Sequence, residues 1–255
     1  MSLFDSGLDY SVINTARSAL LSILGQFDGQ VFGKHGLVIR FMKGVFNARP
    51  TRARYLATWD VQTVLTYLKQ LAPVRLISLK DLTIKLVMLL ALTTGQRGQT
   101  FHLLDLSNLA RGQTYKFGFT RTLKHSRPGS HPVITLHPFP PDRRLCVITV
   151  LKEYIKRTES LRGSTTNLLI SYIKPHRAVS RDSVSRWIKI ALLRSGIDIS
   201  QYAPHSTRMA STSKASANSV PLKTIMEAAG WANVGTFKTF YNRSVHPTFQ
   251  DGVLC

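Results

Sequence analysis

Residues 78–95 constrain the fold more than any other stretch of this chain. Ser78 followed by Asp81 reads as a capping box that opens a helix, and Gly95 supplies its stop. Between them Leu86–Leu92 (LVMLLAL) is an unbroken apolar run. A helix that is apolar on every side belongs in a core. The run falls far short of the ~20 apolar residues that a membrane span needs. The chain is therefore expected to be globular, with this helix at its centre.

Helical periodicity dominates the rest. Residues 11–26 place Ile13, Ala16, Ala19, Leu20 and Leu24 on or near one face, and Leu37 to Val45 reads as a second helix. Asn47 to Arg54 (NARPTRAR) is polar, basic and contains a proline, which makes it the linker. Val61, Val64, Leu65, Leu68 and Leu71 follow the i, i+3, i+4, i+7 pattern of a third helix. A short helix should end near Leu106. Residues 113–120 (QTYKFGFT) and 132–137 (PVITLH) then read as strands of a β-hairpin, with the basic RTLKHSRPGSH as its tip. Asn167 to Ile173 is expected as a further short strand. Helices are expected at about 143–157, 181–195, 206–216, 222–229 and 233–242, with Ser180, Pro221 and Asn233 at starts and Gly196 and Gly230 at stops. The fold class is thus α+β, mostly α, with a small antiparallel sheet.

Composition narrows the function. The 255 residues carry 34 Lys+Arg against 13 Asp+Glu, a formal net charge of +21. Because 44% of residues are hydrophobic, this is no disordered basic tail, and the charge calls for a polyanionic partner, most simply nucleic acid. Residues 29–59 and 106–141 contain no acid at all, as suits a protein that grips a phosphate backbone, although an ordinary solvated basic face has the same look. Cys146 and Cys255 lie far apart and make neither a disulfide framework nor a CxxC metal pair, which fits a reducing compartment. No secretory signal, internal repeat or GxxxxGK[ST] loop is visible, so an intracellular protein without a nucleotide-binding P-loop is expected.

Four segments have chemical potential, and each has a bland reading beside it. In Thr93-Thr-Gly-Gln-Arg97-Gly, an arginine follows the core helix directly; it caps that helix or aims a planar fork at a phosphate. Lys124, in LKHSRPG at the hairpin tip, is either a solvated charge or a proton donor reaching into a groove. In Pro204-His205-Ser-Thr-Arg208, His205 and Arg208 stand at i and i+3 on one helix face, where the first-turn amides would add to an anion site. An isolated HxxR is common by chance. Residues 229–243 place Trp231 and Tyr241 around a short helix, where aromatic residues usually pack; 222–241 also has the outline of a helix-turn-helix.

Taken in chain order, these pieces resemble the tyrosine recombinase (phage integrase-like) family. The resemblance covers residues 55–245. It implies a catalytic set of Arg97, Lys124, His205, Arg208, Trp231 and Tyr241. LKHSRPG and the AGW…TF..FY ending look like the eukaryotic mobile-element branch, such as DIRS-like and Crypton-like recombinases. Residues 1–50 resemble part of the family's helical (SAM-like) core-binding domain, and 51–255 its catalytic domain, with Ser244 to Cys255 as a candidate exchange tail. The sequence departs from many relatives at Thr100, where they carry an acid, and at Trp231, where many bacterial members have histidine. Phe240 stands at the bacterial spacing of the nucleophile, but phenylalanine cannot attack, which selects Tyr241.

The implied chemistry suits these residue types. Tyrosine supplies a tethered oxygen that exchanges a phosphodiester for a phosphotyrosine. Arg97 and Arg208 would clamp the nonbridging oxygens, Lys124 would protonate the leaving 5′ oxygen, and His205 would assist proton transfer at the tyrosine. Trp231 would pack and donate its indole N–H toward the phosphate. No metal and no cofactor is needed. Lys34, Arg40, Lys43, Arg52, Arg54, Arg121 and Arg127 are the expected DNA-backbone contacts. The implied partners are duplex DNA and further copies of the chain, from dimer to tetramer. The implied location is the nucleus of a eukaryotic host, or otherwise the nucleoid. Two other readings stay open: a DNA-binding module without strand chemistry that uses 222–241, and type IB topoisomerase-like relaxation.

Overall fold

The computed structural model describes residues 3–24, 26–50, 55–119, 132–231 and 233–245. Lys124, Arg121 and Arg127 at the hairpin tip, and Arg52 and Arg54 in the linker, lie outside them. The chain divides into two units, Met1–Arg54 and Tyr55–Cys255.

The first unit pairs helix α1 (Tyr10–Leu24) with helix α2 (Gly36–Ala48). A two-residue antiparallel hairpin, β1 (Gln26–Phe27) and β2 (Gln30–Val31), joins them and has no clear sequence signal. The core here is small: Ile13, Met42 and Val45. Helix α2 runs past Val45 to Ala48, so Asn47 and Ala48 belong to the helix and not to the linker. Arg49 closes its end from the inside. Its guanidinium donates to the carbonyls of Phe4 (2.6 Å) and Leu8 (3.2 Å) and lies 4.1 Å from the Phe4 ring centre. It therefore serves this unit's own packing, whereas Lys34, Arg40 and Lys43 are exposed.

The second unit is built around the helix that the apolar run announced. Helix α3 (Val61–Gln70) precedes it, capped by the Asp60 carboxylate, which accepts from the Gln62 amide at 3.0 Å. Helix α4 (Leu79–Thr94) begins where the Ser78 hydroxyl accepts from the Asp81 amide at 3.0 Å, and ends at Gly95 with φ 59°. Leu82, Ile84 and every residue from Leu86 to Leu90 are at most 1% exposed. They are covered by α5 (Val147–Thr158), α6 (Arg181–Arg194) and α7 (Ser206–Ala217). Lys85 is buried among them. Its Nζ donates to the carbonyls of Leu68 (2.9 Å) and Leu71 (2.5 Å), at the end of α3. Burial pushes this amine down to about 8, against a weaker pull from Asp142.

Strands β3 (Leu109–Arg111), β4 (Tyr115–Gly118) and β5 (Val133–Leu136) form an antiparallel sheet in that order. Tyr115 and Phe117 of β4 point into the core and Lys116 points to solvent, the alternation of a one-sided sheet. Strand β3 lacks a readable signal because it is three residues long. The expected helix before it is a 3-10 turn, Gly98–Leu103, followed by a second at Leu106–Asn108. The strand expected at Asn167 to Ile173 is absent as a strand. That segment makes only isolated bridges, Asp105 with Asn167 and Ile170 with Ala178. Leu168, Leu169 and Ile170 are all buried in succession, so the segment threads the core and does not alternate at a sheet edge.

Helices α8 (Leu222–Ala229) and α9 (Val234–Phe240) complete the unit. Gly230, at φ 66°, lets the Trp231 amide reach back to the Met226 carbonyl at 2.9 Å and closes α8. Among the described residues no helix is long and apolar enough to cross a membrane, and no group of three His, Cys, Asp or Glu side chains is placed to hold a metal.

Candidate active site

The end of α4 and the starts of α6 and α7 meet at a cavity of about 330 Å³. Arg97, His205, Arg208 and Tyr241 all line it, together with Gln96, Arg181 and Asp182. Local chain geometry explains the meeting. Gly95 turns the chain sharply off α4, and a Cβ there would lie 3.3 Å from Thr212 of α7 and 3.7 Å from Ala229 of α8. Gln96 then donates to the Ala228 carbonyl at 2.6 Å, tying the end of α4 to the end of α8 and leaving Arg97 at the cavity wall.

Arg208 is the centre of the arrangement. It stands at the third position of α7, is 4% exposed, and its Nη2 donates to the Ala229 carbonyl at 2.7 Å. That carbonyl is at the C-terminus of α8, where a cation is favoured. Its Nε and Nη1 are buried and find no acceptor among the described residues. The guanidinium lies 4.3 Å from the Trp231 ring centre and 5.5 Å from that of Tyr241. Burial pushes it down to about 10, the nearby Arg97 charge adds to that, and Tyr241 opposes it. The group is still cationic at neutral pH. Among the described residues the only carboxylate in the cavity wall, that of Asp182, lies 3.3 Å from Arg181. A buried cation next to a second cation is unfavourable by itself and is relieved when an anion arrives.

Tyr241 caps the C-terminus of α9, its amide bonded to the Phe237 carbonyl at 2.9 Å. Its ring packs on Trp231 at 4.5 Å between centres. Its backbone is pinned by Ser213 of α7, which donates to the Tyr241 carbonyl at 2.6 Å and accepts from the Arg243 amide at 3.0 Å. Trp231 also packs on Phe237, and its Nε1 is buried without an acceptor among the described residues. It stands behind Arg208 and Tyr241 rather than in the cavity wall.

One expectation is corrected. The first-turn amides of α7 do not form an open anion cradle. Those of Ser206, Thr207 and Arg208 donate to the carbonyls of Ala203 (2.8 Å), Pro204 (3.3 Å) and His205 (3.3 Å). The tight 3-10-like start of the helix uses them up, which leaves the anion-binding capacity to side chains. Sequence reasoning also missed Gln96, Arg181 and Ser213. Gln96 lay within the quoted TTGQRG motif, but the other two carried no local signal. Of the expected DNA contacts, Lys34, Arg40 and Lys43 are exposed in the first unit, Arg40 and Lys43 three residues apart on α2.

Comparison with known proteins agrees with this fold. Residues 54–246 match the model of the phage integrase family. No curated protein matches the chain by sequence. Among solved structures, the chain is similar to the XerH site-specific recombinase in a post-cleavage complex with a palindromic difH substrate. The TM-score is 0.62 at 14% identity, covering 93% of this chain and 65% of that one. The Tn1549 transposon integrase with transposon right-end DNA gives 0.60 at 13% identity, over 98% and 80%. The XerA recombinase gives 0.56 at 14%, over 92% and 78%. The chain thus spans slightly less than two thirds of the XerH chain. The fold of residues 55–245 is that of a tyrosine recombinase catalytic domain, and the chain belongs to the phage integrase family.

Proposed function

We propose that this protein cleaves and rejoins duplex DNA through a 3′-phosphotyrosyl intermediate. The observation that carries the reading is Arg208, a buried guanidinium with two donor nitrogens lacking acceptors among the described residues, beside Arg97 and facing Tyr241. A scissile phosphate in the cavity would accept from both arginines. The Tyr241 oxygen attacks phosphorus, the P–O3′ linkage is retained, and the P–O5′ bond breaks to leave a 5′ hydroxyl. The phenol proton leaves with help from His205, and Lys124 delivers a proton to the 5′ oxygen. No water enters, so the phosphoryl bond is conserved and the reverse attack by a 5′ hydroxyl rejoins the strand. Trp231 holds Arg208 and Tyr241 from behind. Lys34, Arg40, Lys43, Arg52, Arg54, Arg121 and Arg127 hold the flanking duplex, to which Arg181 at the cavity rim adds a cation.

The LKHSRPG and AGW…FY resemblance supports a mobile-element recombinase of the DIRS-like or Crypton-like branch, working in a eukaryotic nucleus on paired sites as a dimer to tetramer. The test is a nicked suicide duplex from which the cleaved strand end diffuses away. The wild-type protein is expected to accumulate a covalent protein–DNA adduct without metal, and Tyr241→Phe none. DNA binding without any adduct would refute strand cleavage and leave a binding module that uses α8 and α9. Relaxation of a supercoiled plasmid without exchange between two sites would point to topoisomerase-like action.

A further inference from the structure

Tyr55 opens the second unit, immediately after the linker, and the recombinase motifs do not include it. Its hydroxyl lies 3.2 Å from His205 Nε2 and accepts from the Ala203 amide, also at 3.2 Å. Its ring packs against the imidazole at 5.5 Å between centres and against Tyr202 at 5.6 Å. The next residues grip the same neighbourhood. The buried Trp59 indole donates to Ser206 Oγ at 2.9 Å, one residue beyond His205, and the Thr58 amide donates to the Ser244 carbonyl at 3.0 Å, three residues beyond Tyr241. Residues 55–59 therefore brace both the histidine and the end of the tyrosine segment.

A phenol has one proton and two lone pairs. With the Ala203 N–H on one lone pair, the hydroxyl still has its own proton to give, and Nε2 stands at hydrogen-bond distance from it. A neutral imidazole whose Nε2 accepts must carry its proton on Nδ1. Resting on the strand-cleavage reading above, we infer that Tyr55 is a positioning residue: its hydroxyl fixes the plane of His205 and holds it as the Nδ1–H tautomer. An exposed histidine at a helix start gains most from such a brace. In that tautomer Nδ1–H can donate a hydrogen bond to a nonbridging oxygen, and Nε2 remains the basic nitrogen that assists the departing phenol proton.

The test combines a spectrum with a rate. Long-range ¹H–¹⁵N spectra of the imidazoles in the DNA-free protein, with His205 assigned through His205→Gln, are expected to show the Nδ1–H pattern for His205. In Tyr55→Phe the pattern is expected to change to the Nε2–H form that free imidazoles favour. On the nicked suicide duplex at saturating DNA, Tyr55→Phe is expected to form adduct about tenfold more slowly, with DNA affinity within about twofold of wild type. A His205 spectrum of Nε2–H type in the wild type, or one unchanged by Tyr55→Phe, would overturn the inference. So would an unchanged adduct rate in Tyr55→Phe. If the wild type forms no adduct, strand cleavage itself fails, and the spectrum still decides what Tyr55 does to His205.

Discussion

Helices α4 and α7 are both buried, and for opposite reasons. Helix α4 is apolar from Leu86 to Leu92 and supplies the middle of the core. Helix α7 (STRMASTSKASA) is rich in hydroxyls, yet Ser206, Thr207, Arg208, Ser211, Thr212 and Ser213 are all buried. Two of its small side chains bond back to the helix itself, Thr212 donating to the Arg208 carbonyl at 2.8 Å and Ser211 to the same carbonyl at 3.1 Å, while Ser206 and Ser213 bond to Trp59 and to the Tyr241 segment. That economy of space lets α4, α8 and the Tyr241 segment approach closely and enclose a guanidinium. One helix is buried to stabilise the fold. The other is buried to keep a charge dry and a tyrosine pinned, at some expense in stability.

The contrast can be broken by exchanging the two kinds of effect. Arg208→Met keeps the bulk and removes the buried charge. It is expected to lower adduct formation by about 10²–10³-fold, since phosphate-stabilising donors have effects of that size. In the DNA-free protein the same change should raise stability by roughly 1 kcal/mol, because an unfavourably buried cation is gone. Thermal melting and single-turnover cleavage, measured on the same protein, check both signs. A loss of stability equal to the loss of rate would place Arg208 in the fold and not in the site.

Leu89→Ala in α4 should do the reverse. A buried leucine truncated at a site of 1% exposure is expected to destabilise by about 3 kcal/mol. Urea unfolding reads that loss. The cleavage rate of the molecules that remain folded should change by less than about twofold.

The smallest effect is a pH dependence that belongs to α4. Lys85 has a folded value of about 8, below the ~10.4 of an unfolded lysine. Between these values the unfolded chain holds a proton that the folded chain has released, so stability rises with pH across that window. The expected gain is about 1–2 kcal/mol after allowing for solvent screening. Above pH 10 the trend should reverse, because burial raises the Tyr154 hydroxyl and the folded state keeps that proton longer. Lys85→Met should flatten the rise in denaturation curves between pH 8 and 10.

The same contrast explains what was legible in the amino-acid sequence. Helix α4 announced itself through Ser78, the apolar run and Gly95, because hydropathy and capping are local properties. The HxxR of α7 was legible only as part of an ordered set with Arg97, Trp231 and Tyr241. Nothing in STRMASTSKASA tells of its burial, because small polar residues are buried by their neighbours' approach and not by their own hydropathy. The same limit hid Ser213 and Tyr55, whose partners lie 28 and 150 residues away. Short strands such as β3, and the core-threading segment at 167–173, escaped for lack of length over which a period can show.

On the proposed function, the cavity around Arg208 aims a phosphate at Tyr241. The most direct measurement is mass spectrometry of the adduct after nuclease and trypsin digestion. Cleavage after Lys238 and Arg243 releases the peptide TFYNR, in which Tyr241 is the only tyrosine. The expected result is a nucleotide phosphate on that peptide. A nucleotide on any other tyrosine, including Tyr55 beside His205, would contradict the account.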